Sequence, residues 1–253
     1  MATTQHPSVV FIPGAWHLPE GFDGVREVLS ARGYQTDAVW LPSVGAEVPK
    51  NLSDDTAAAR HIIEQRVEEG KQVVVVAHSY GGLVGSGAVR DLGYVSRKVA
   101  GKQGGVIMLI YMAAFVATKG SAVLDLLGGS PPPWMDFTDN NYIHLSNAPN
   151  AATILYNDLS PSEQEKRIAK WAPMSKAAFL EPVSHEPWLE LPCMYLIAEN
   201  DQALPLAAQE AMASMLGTNP SYRCAGSHFP YLDLPEKVAD AVELGAQQGL
   251  KRC

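Results

Sequence analysis

The sequence has few cysteines and lacks any segment suited to a membrane. Cys193, Cys224 and Cys253 are odd in number and far apart, with no C-x-x-C pair, so we expect reduced thiols inside a cell. The longest apolar run, residues 106–117, is shorter than the roughly 20 residues that a bilayer crossing needs. Residues 1–8 have neither the charged start nor the apolar core of a signal peptide. We therefore expect a cytoplasmic protein with no membrane partner.

Concentrated positive charge and cofactor motifs are also lacking. The chain has 19 basic and 27 acidic residues, a net charge of −8, and no basic block, which argues against nucleic acid as a partner. It has no H-E-x-x-H pair and no G-x-x-x-x-G-K phosphate loop. His6, His61, His144 and His185 show no metal-ligand spacing. We therefore expect no metal and no cofactor.

Alternating strand and helix patterns make up most of the chain, and this alternation indicates an α/β fold with a mostly parallel, doubly wound sheet. The predicted strands cover residues 8–12, 35–41, 72–78, 106–112, 193–198 and 221–224, and the predicted helices cover 21–31, 54–69, 83–90, 206–216 and 234–247. At 253 residues, one domain with one insertion is expected.

The alternation breaks down between residues 118 and 187. Pro131, Pro132 and Pro133 exclude a helix there, and Ser160 with Glu163 predicts a helix that runs to about residue 171. The aromatic residues of this segment, Trp134 among them, could form a small core of their own or a lid over an apolar pocket. We expect a core domain over 1–117 and 188–253 with an inserted helical lid over 118–187.

Residues 73–82, VVVVAHSYGG, contain the first candidate for chemistry. Four β-branched residues predict a fully buried strand, and a glycine-rich helix follows. Ser79 stands at the corner between them, where a tight turn exposes a hydroxyl beyond the end of the sheet. Short Ser-Gly clusters after strands are common, however, and Ala77 departs from the G-x-S-x-G pattern. The pattern predicts a nucleophile only if a base and an acid follow.

A histidine and a carboxylate do follow the last two predicted strands. His228 lies between Gly226 and Pro230 after the final strand, where a general base would be expected. Asp201 follows the strand at 193–198 and is the first candidate for the acid that orients the base, although it could instead cap the next helix. Glu199 and Asp125 are rival acids. His78 is expected to point away from the serine and to make a structural hydrogen bond.

Two backbone N–H groups are predicted to bind the negative oxygen of an acyl-transfer intermediate. Tyr80 directly follows the serine and supplies one. The turn after the first strand supplies the other from Ala15, since Pro13 has no N–H and Gly14 lets the backbone approach. His17 is expected to brace this turn without being catalytic.

These motifs together resemble the α/β-hydrolase superfamily over nearly the whole chain. The matching segments are FIPGAWH at 11–17, AHSYGG at 77–82, AAF at 113–115, Asp201 with Pro205, and GSH at 226–228. Within that superfamily the chain is similar to the methylesterases and hydroxynitrile lyases of plants and to their fungal and bacterial relatives. The resemblance implies a sheet of about six strands. Pro13 and Ala77 depart from the histidine and glycine usual in the family, and neither change removes a catalytic atom.

The resemblance leaves three functions open: ester or lactone hydrolysis, carbon–carbon cleavage, and ligand binding without turnover. The related lyases carry threonine where Gly14 stands and lysine after the catalytic histidine, where this chain has Phe229. Hydrolysis of a mainly apolar small molecule is therefore the first hypothesis. Gly14, Trp16, Trp134 and Phe229 are expected to line the substrate pocket, and a homodimer is left open.

Overall fold

A parallel sheet forms the centre of the computed structural model, which describes residues 6–47, 49–139, 141–146, 150–217 and 221–253. The first five residues, part of the segment in which we predict no targeting signal, lie outside the described residues. So do positions 48, 140, 147–149 and 218–220, which fall within the predicted core and lid ranges.

Six parallel strands build this sheet in the described part of the chain, in the spatial order β2-β1-β3-β4-β8-β9. They are β1 (Ser8–Ile12), β2 (Thr36–Ala38), β3 (Gln72–His78), β4 (Gly105–Met112), β8 (Cys193–Ala198) and β9 (Ser221–Cys224). The predicted fold class is confirmed. The second strand is shorter than predicted because β2 lies at the sheet edge and pairs with β1 over only three residues.

Helices cover both faces of this sheet. They are α1 (Asp23–Ala31), α2 (Leu52–Glu68), α3 (Gly81–Ala88), α4 (Tyr94–Val99), α9 (Leu206–Met215), α10 (Pro230–Asp233) and α11 (Pro235–Leu250). Leu109 faces Gly85 of α3, whereas its neighbour Ile110 faces Gly245 of α11. Since successive strand residues point to opposite faces, α3 and α11 lie on opposite sides of the sheet. Every residue of β4 is accordingly buried.

The segment between β4 and β8 has its own small structure. It contains α5 (Val123–Leu126), β5 (Met135–Asp136), β6 (Tyr142–Leu145), α6 (Ala151–Leu155), α7 (Pro161–Ile168), β7 (Met174–Ser175) and α8 (Lys176–Leu180). We expected a helical lid, and the segment adds to its helices a small antiparallel sheet of β5, β6 and β7. Strands of two to four residues are too short to show alternation in the sequence. The predicted helix after Ser160 is present and ends at Ile168.

The carboxyl ends of the parallel strands bring four loops to one edge of the sheet. These loops follow β1, β3, β8 and β9, and they carry every residue for which we predict a chemical role. In open α/β sheets this edge is where ligands bind. No helix in the described part of the chain combines the length and apolar character needed to cross a membrane.

Candidate active site

Ser79 lies in a strained turn between β3 and α3. Its φ is +52°, a left-handed conformation that is uncommon for residues other than glycine. The turn can close because Gly81 and Gly82 have no side chain. A Cβ at Gly81 would lie 2.5 Å from the carbonyl oxygen of Pro13, and one at Gly82 would lie 2.2 Å from that of Phe115. The two glycines therefore allow the start of α3 to approach these carbonyl groups closely.

Ala77, the departure from the usual glycine, is accommodated by a second glycine. A Cβ at Gly85 would lie 3.1 Å from the Ala77 methyl group, so the small residue at 85 leaves room for the methyl at 77. The substitution therefore leaves the strained turn intact.

The structure brings the three predicted side chains together in one line of hydrogen bonds. His228 Nε2 lies 2.9 Å from Ser79 Oγ, and His228 Nδ1 lies 2.7 Å from Asp201 Oδ2. All three residues are buried. Because the carboxylate can only accept, Nδ1 carries the imidazole proton, and Nε2 is left to accept the proton of the serine hydroxyl. The arrangement can therefore activate the hydroxyl.

The loop after β8 fixes the carboxylate through its other oxygen. Asp201 Oδ1 accepts the backbone N–H groups of Ala203 and Leu204, each at 2.8 Å. The buried amide of Gln209 bonds both backbone groups of Ala198 and also lies 3.4 Å from Asp201 Oδ2. Gln209 was not predicted, since a glutamine one turn into a helix carries no signal of burial.

The two rival acids are engaged elsewhere. Glu199 pairs with Arg223 at 3.6 Å on the surface. Asp125 accepts the N–H of Ala122 at 2.8 Å and so caps the start of α5. Only Asp201, among these three acids, is hydrogen-bonded to His228 in the described structure.

His78 supports the base from behind. Its Nε2–H donates to the carbonyl oxygen of His228 at 2.7 Å, in agreement with the predicted structural hydrogen bond. Burial lowers the pKa of His78 well below its usual value, so the ring is neutral and its Nε2 remains the donor. The side chain therefore holds the His228 backbone rather than taking part in proton transfer.

The two predicted oxyanion donors, the N–H groups of Ala15 and Tyr80, belong to residues that line a cavity beside Ser79. No group in the described part of the chain accepts a hydrogen bond from either amide N–H. The Tyr80 side chain points the other way, where its hydroxyl donates to Asp55 at 2.7 Å. Asp55 is fully buried and also accepts from the backbone and hydroxyl of Ser43.

Asp55 was not predicted to support the site. An aspartate in the first turn of a helix is expected to face solvent and favour the helix dipole. Burial raises the pKa of Asp55, while the hydrogen bonds from Ser43 and Tyr80 oppose that rise.

The cavity at Ser79 is mainly apolar and small, with a volume of about 20 Å³. This is room for about one water molecule. Its lining consists of Ala15, Trp16, Ser79, Tyr80, Phe115, Leu127, Trp134, Met135, Phe179, Ala203, Leu204 and His228. The predicted pocket residues Trp16 and Trp134 are among them, with ring centroids 6.1 Å apart.

Gly14 and Phe229, also predicted for the pocket, do not line this cavity among the described residues. A Cβ at Gly14 would lie 2.9 Å from both the Nδ1 of His78 and the Cβ of Ser79, so a side chain there would meet the His78 ring and the serine side chain. Phe229 turns behind His228 and packs on His17, with ring centroids 4.3 Å apart. Both residues therefore support the site from outside the cavity.

No group of three or more His, Cys, Asp or Glu side chains in the described part of the chain is arranged to hold a metal ion. A larger cleft of about 440 Å³ lies between the amino ends of β3 and β4, lined by Lys71 and Gly104 among others. It is at the opposite end of the strands from Ser79, and none of the site residues described above lines it.

Comparison with known proteins identifies the relatives of this chain. A model of the alpha/beta hydrolase family matches residues 9–241. The alpha/beta hydrolase nvfD of Aspergillus novofumigatus is 31% identical over 249 residues, which cover 97% of this chain and 98% of that protein.

Solved structures share the fold at lower identity. A pyrethroid hydrolase aligns with a TM-score of 0.73 at 22% identity, over 95% of this chain and 98% of that one. Polyneuridine aldehyde esterase aligns with a TM-score of 0.75 at 16% identity, over 94% of this chain and 98% of that one.

Proposed function

This chain belongs to the alpha/beta hydrolase family, and from that membership we propose that it is a serine hydrolase cleaving a carboxylic ester or lactone. The observation that carries the proposal is the unbroken line from Asp201 through His228 to Ser79, with distances of 2.7 and 2.9 Å. The names of two structural neighbours, a pyrethroid hydrolase and polyneuridine aldehyde esterase, are in keeping with it.

In the proposed reaction Ser79 Oγ attacks the carbonyl carbon while His228 Nε2 takes the hydroxyl proton. Asp201 keeps the imidazole in its productive orientation and stabilises the positive charge that forms on it. The N–H groups of Ala15 and Tyr80 bind the negative oxygen of the tetrahedral intermediate, an effect worth on the order of 10²–10³ in rate per donor. The imidazolium then protonates the leaving alcohol, and a water molecule releases the acid by the same steps.

The walls of the cavity favour an apolar acyl group. Trp16, Phe115, Trp134 and Phe179 supply large apolar surfaces, and the polar end of Tyr80 points away toward Asp55. Burying an apolar group against such walls gains about 25 cal/mol for each Å² removed from water. We expect hydrolysis to increase as the acyl chain of the substrate lengthens.

The segment 118–187 acts as a lid in this proposal. It supplies Leu127, Trp134, Met135 and Phe179 to the cavity. A pocket for a drug-sized molecule measures about 300–1,000 Å³, far above the present volume. These side chains must therefore move apart before an ester can reach Ser79.

A fluorophosphonate probe with detection by mass spectrometry tests the proposal. We expect one adduct on Ser79 in the wild-type protein and none in Ser79→Ala. Ser86→Ala is the matched control, since Ser86 is also buried but bonds the backbone of Gly82 and the hydroxyl of Tyr111. It should be labelled like the wild type.

Turnover is then measured on p-nitrophenyl esters of rising chain length and on several lactones. Hydrolysis that Ser79→Ala abolishes supports the proposal. Absence of any adduct on the wild-type protein would refute acyl transfer through Ser79. Release of an aldehyde by Ser79→Ala, without an acyl intermediate, would point to a carbon–carbon lyase instead.

A further inference from the structure

The turn that carries Ala15 is tied to the inserted segment by the two residues that follow it. The indole N–H of Trp16 donates to the carbonyl oxygen of Ile143 in β6 at 2.9 Å. The imidazole of His17 is hydrogen-bonded to the hydroxyl of Tyr156, at the end of α6. The bond from Trp16 is buried, whereas the bond of His17 is partly buried, with Tyr156 itself fully buried.

The direction of each hydrogen bond through His17 follows from the chemistry of its partners. The Ala15 carbonyl, 2.6 Å from Nδ1, can only accept, so Nδ1 carries the proton. Nε2 must then accept, and the Tyr156 hydroxyl donates to it. The indole N–H of Trp171 donates in turn to the Tyr156 oxygen at 2.9 Å. A single line of donors therefore runs from Trp171 to the Ala15 carbonyl.

The protonation states that this line requires are those that burial favours. Burial lowers the pKa of His17 to about 4, so the ring is neutral and Nε2 can accept at neutral pH. Burial raises the pKa of Tyr156, which keeps its hydroxyl protonated and able to donate. Both side chains are therefore already in the protonation states that these hydrogen bonds require.

The turn needs such support because its backbone is strained. Trp16 has a φ of +63°, a strained conformation that persists only where the surroundings hold it. Fixing the Ala15 carbonyl fixes the peptide plane that joins Ala15 to Trp16. It thereby restrains the ψ angle of Ala15, which sets the direction of the Ala15 N–H relative to that plane. Without this restraint the turn could relax and carry the N–H away from the site of the developing charge.

We propose that His17, held by Tyr156, is a positioning residue that keeps the Ala15 N–H aimed at the oxyanion. This role rests on the proposed ester hydrolysis. Because Tyr156 belongs to the inserted segment, the turn has its productive shape only while that segment is seated. The segment would then complete the catalytic site as well as cover it.

The test compares His17→Phe and Tyr156→Phe with the wild type. Each variant keeps a ring that can pack against Phe229 and removes the hydrogen bond between the two side chains. Loss of a whole oxyanion donor costs 10²–10³ in rate, so a loosened donor should lower kcat by about 10- to 100-fold in His17→Phe. We expect about a tenfold loss in Tyr156→Phe, which keeps the bond to Ala15.

Several readouts separate positioning from a merely structural role. Rates are expressed per active site titrated with the fluorophosphonate. We expect KM to change little, whereas the affinity for an aryl boronic acid, which mimics the tetrahedral intermediate, should fall in parallel with kcat. His17→Asn, whose amide can still donate to the Ala15 carbonyl, should recover part of the loss. The double variant, His17→Phe with Tyr156→Phe, should have the same kcat as His17→Phe alone, since both changes break the same chain of hydrogen bonds.

Tyr231→Phe is the matched control, because Tyr231 is buried against the same Phe229 and its hydroxyl makes no hydrogen bond to the turn in the described structure. It should keep wild-type kcat. An unchanged kcat per titrated site in His17→Phe would overturn the positioning role and leave the hydrolase intact. A wild-type protein that hydrolyses no ester and takes no phosphonate would instead refute the proposed function, and the positioning role with it.

Discussion

Asp201→Asn should slow ester hydrolysis by about 10³–10⁴-fold while leaving the protein folded. The change replaces one oxygen by an NH₂ group and keeps the shape of the side chain. The effect is large because the surroundings of Asp201 turn the NH₂ group of the new amide, and not its oxygen, toward His228.

The amide oxygen has only one acceptable position. At Asp201 Oδ1 two backbone N–H groups, those of Ala203 and Leu204, converge at 2.8 Å. An NH₂ group placed there would face two donors, so the oxygen must stay and the NH₂ group must take the Oδ2 position. It then donates to His228 Nδ1, where the carboxylate accepts at 2.7 Å. The imidazole must switch its proton to Nε2.

A proton on Nε2 points at Ser79 Oγ, 2.9 Å away, and the ring can no longer take the proton of the hydroxyl. The free-energy barrier should rise by about 4 to 5.5 kcal/mol, which corresponds to the loss of three to four powers of ten in rate. The same aspartate-to-asparagine change in the triad of an unrelated serine protease has an effect of this size.

The assay is kcat on a p-nitrophenyl ester, with thermal unfolding as the check on folding. Glu199→Gln and Asp125→Asn serve as controls, since Glu199 pairs with Arg223 and Asp125 caps α5. Both should keep kcat within about twofold of the wild type, because neither touches the reacting groups. If Asp201→Asn kept more than a tenth of wild-type kcat, or if either control fell with it, the assignment of the acid would be wrong.

Three further changes probe the supports of the site. Gly14→Ala places a methyl group 2.9 Å from the Cβ of Ser79, so kcat should fall about tenfold. Gly24→Ala adds a methyl group that meets open space and should leave kcat unchanged. Equal kcat in both variants would contradict this prediction. Asp55→Ala leaves three buried donors without an acceptor, so it should lower the free energy of unfolding, measured with urea, by about 3 kcal/mol or more. Tyr80→Phe should lower it by only about 1 kcal/mol. A smaller loss in Asp55→Ala than in Tyr80→Phe would argue against the buried network. Because His17 has a lower pKa when folded, about 4 against 6.5, the unfolded chain binds the extra proton between these values. The free energy of unfolding should therefore fall as pH drops from 6.5 to 4, and His17→Phe should flatten that slope; an equal slope in both proteins would show that His17 titrates normally.

Local patterns were sufficient to predict the central sheet and the loops that carry the chemistry. Residues 73–76 predict a buried strand, because four β-branched residues in a row suit the interior of a parallel sheet. Residues that follow such strands share one edge of the sheet, whatever their distance along the chain. The meeting of Ser79 and His228 with one of the candidate acids could therefore be predicted before any contact was known.

Other features of the site depend on contacts that no local pattern records. The choice of Asp201 over Glu199 depends on which carboxylate the loop after β8 turns inward, and two backbone amides decide that. Asp55 lies in an ordinary first helical turn, and only the packing of α2 against α3 buries it under Tyr80.

The sequence by itself determined the α/β sheet, the order of its strands along the chain and the residues at their carboxyl ends, because these follow from periodicities of a few residues. Only the tertiary structure decided that Tyr156 meets His17 across 139 positions and that Trp16 is bonded to β6. The path of the irregular segment 118–187 sets those contacts. That path is fixed by packing against the finished sheet, so it cannot be read from the segment alone.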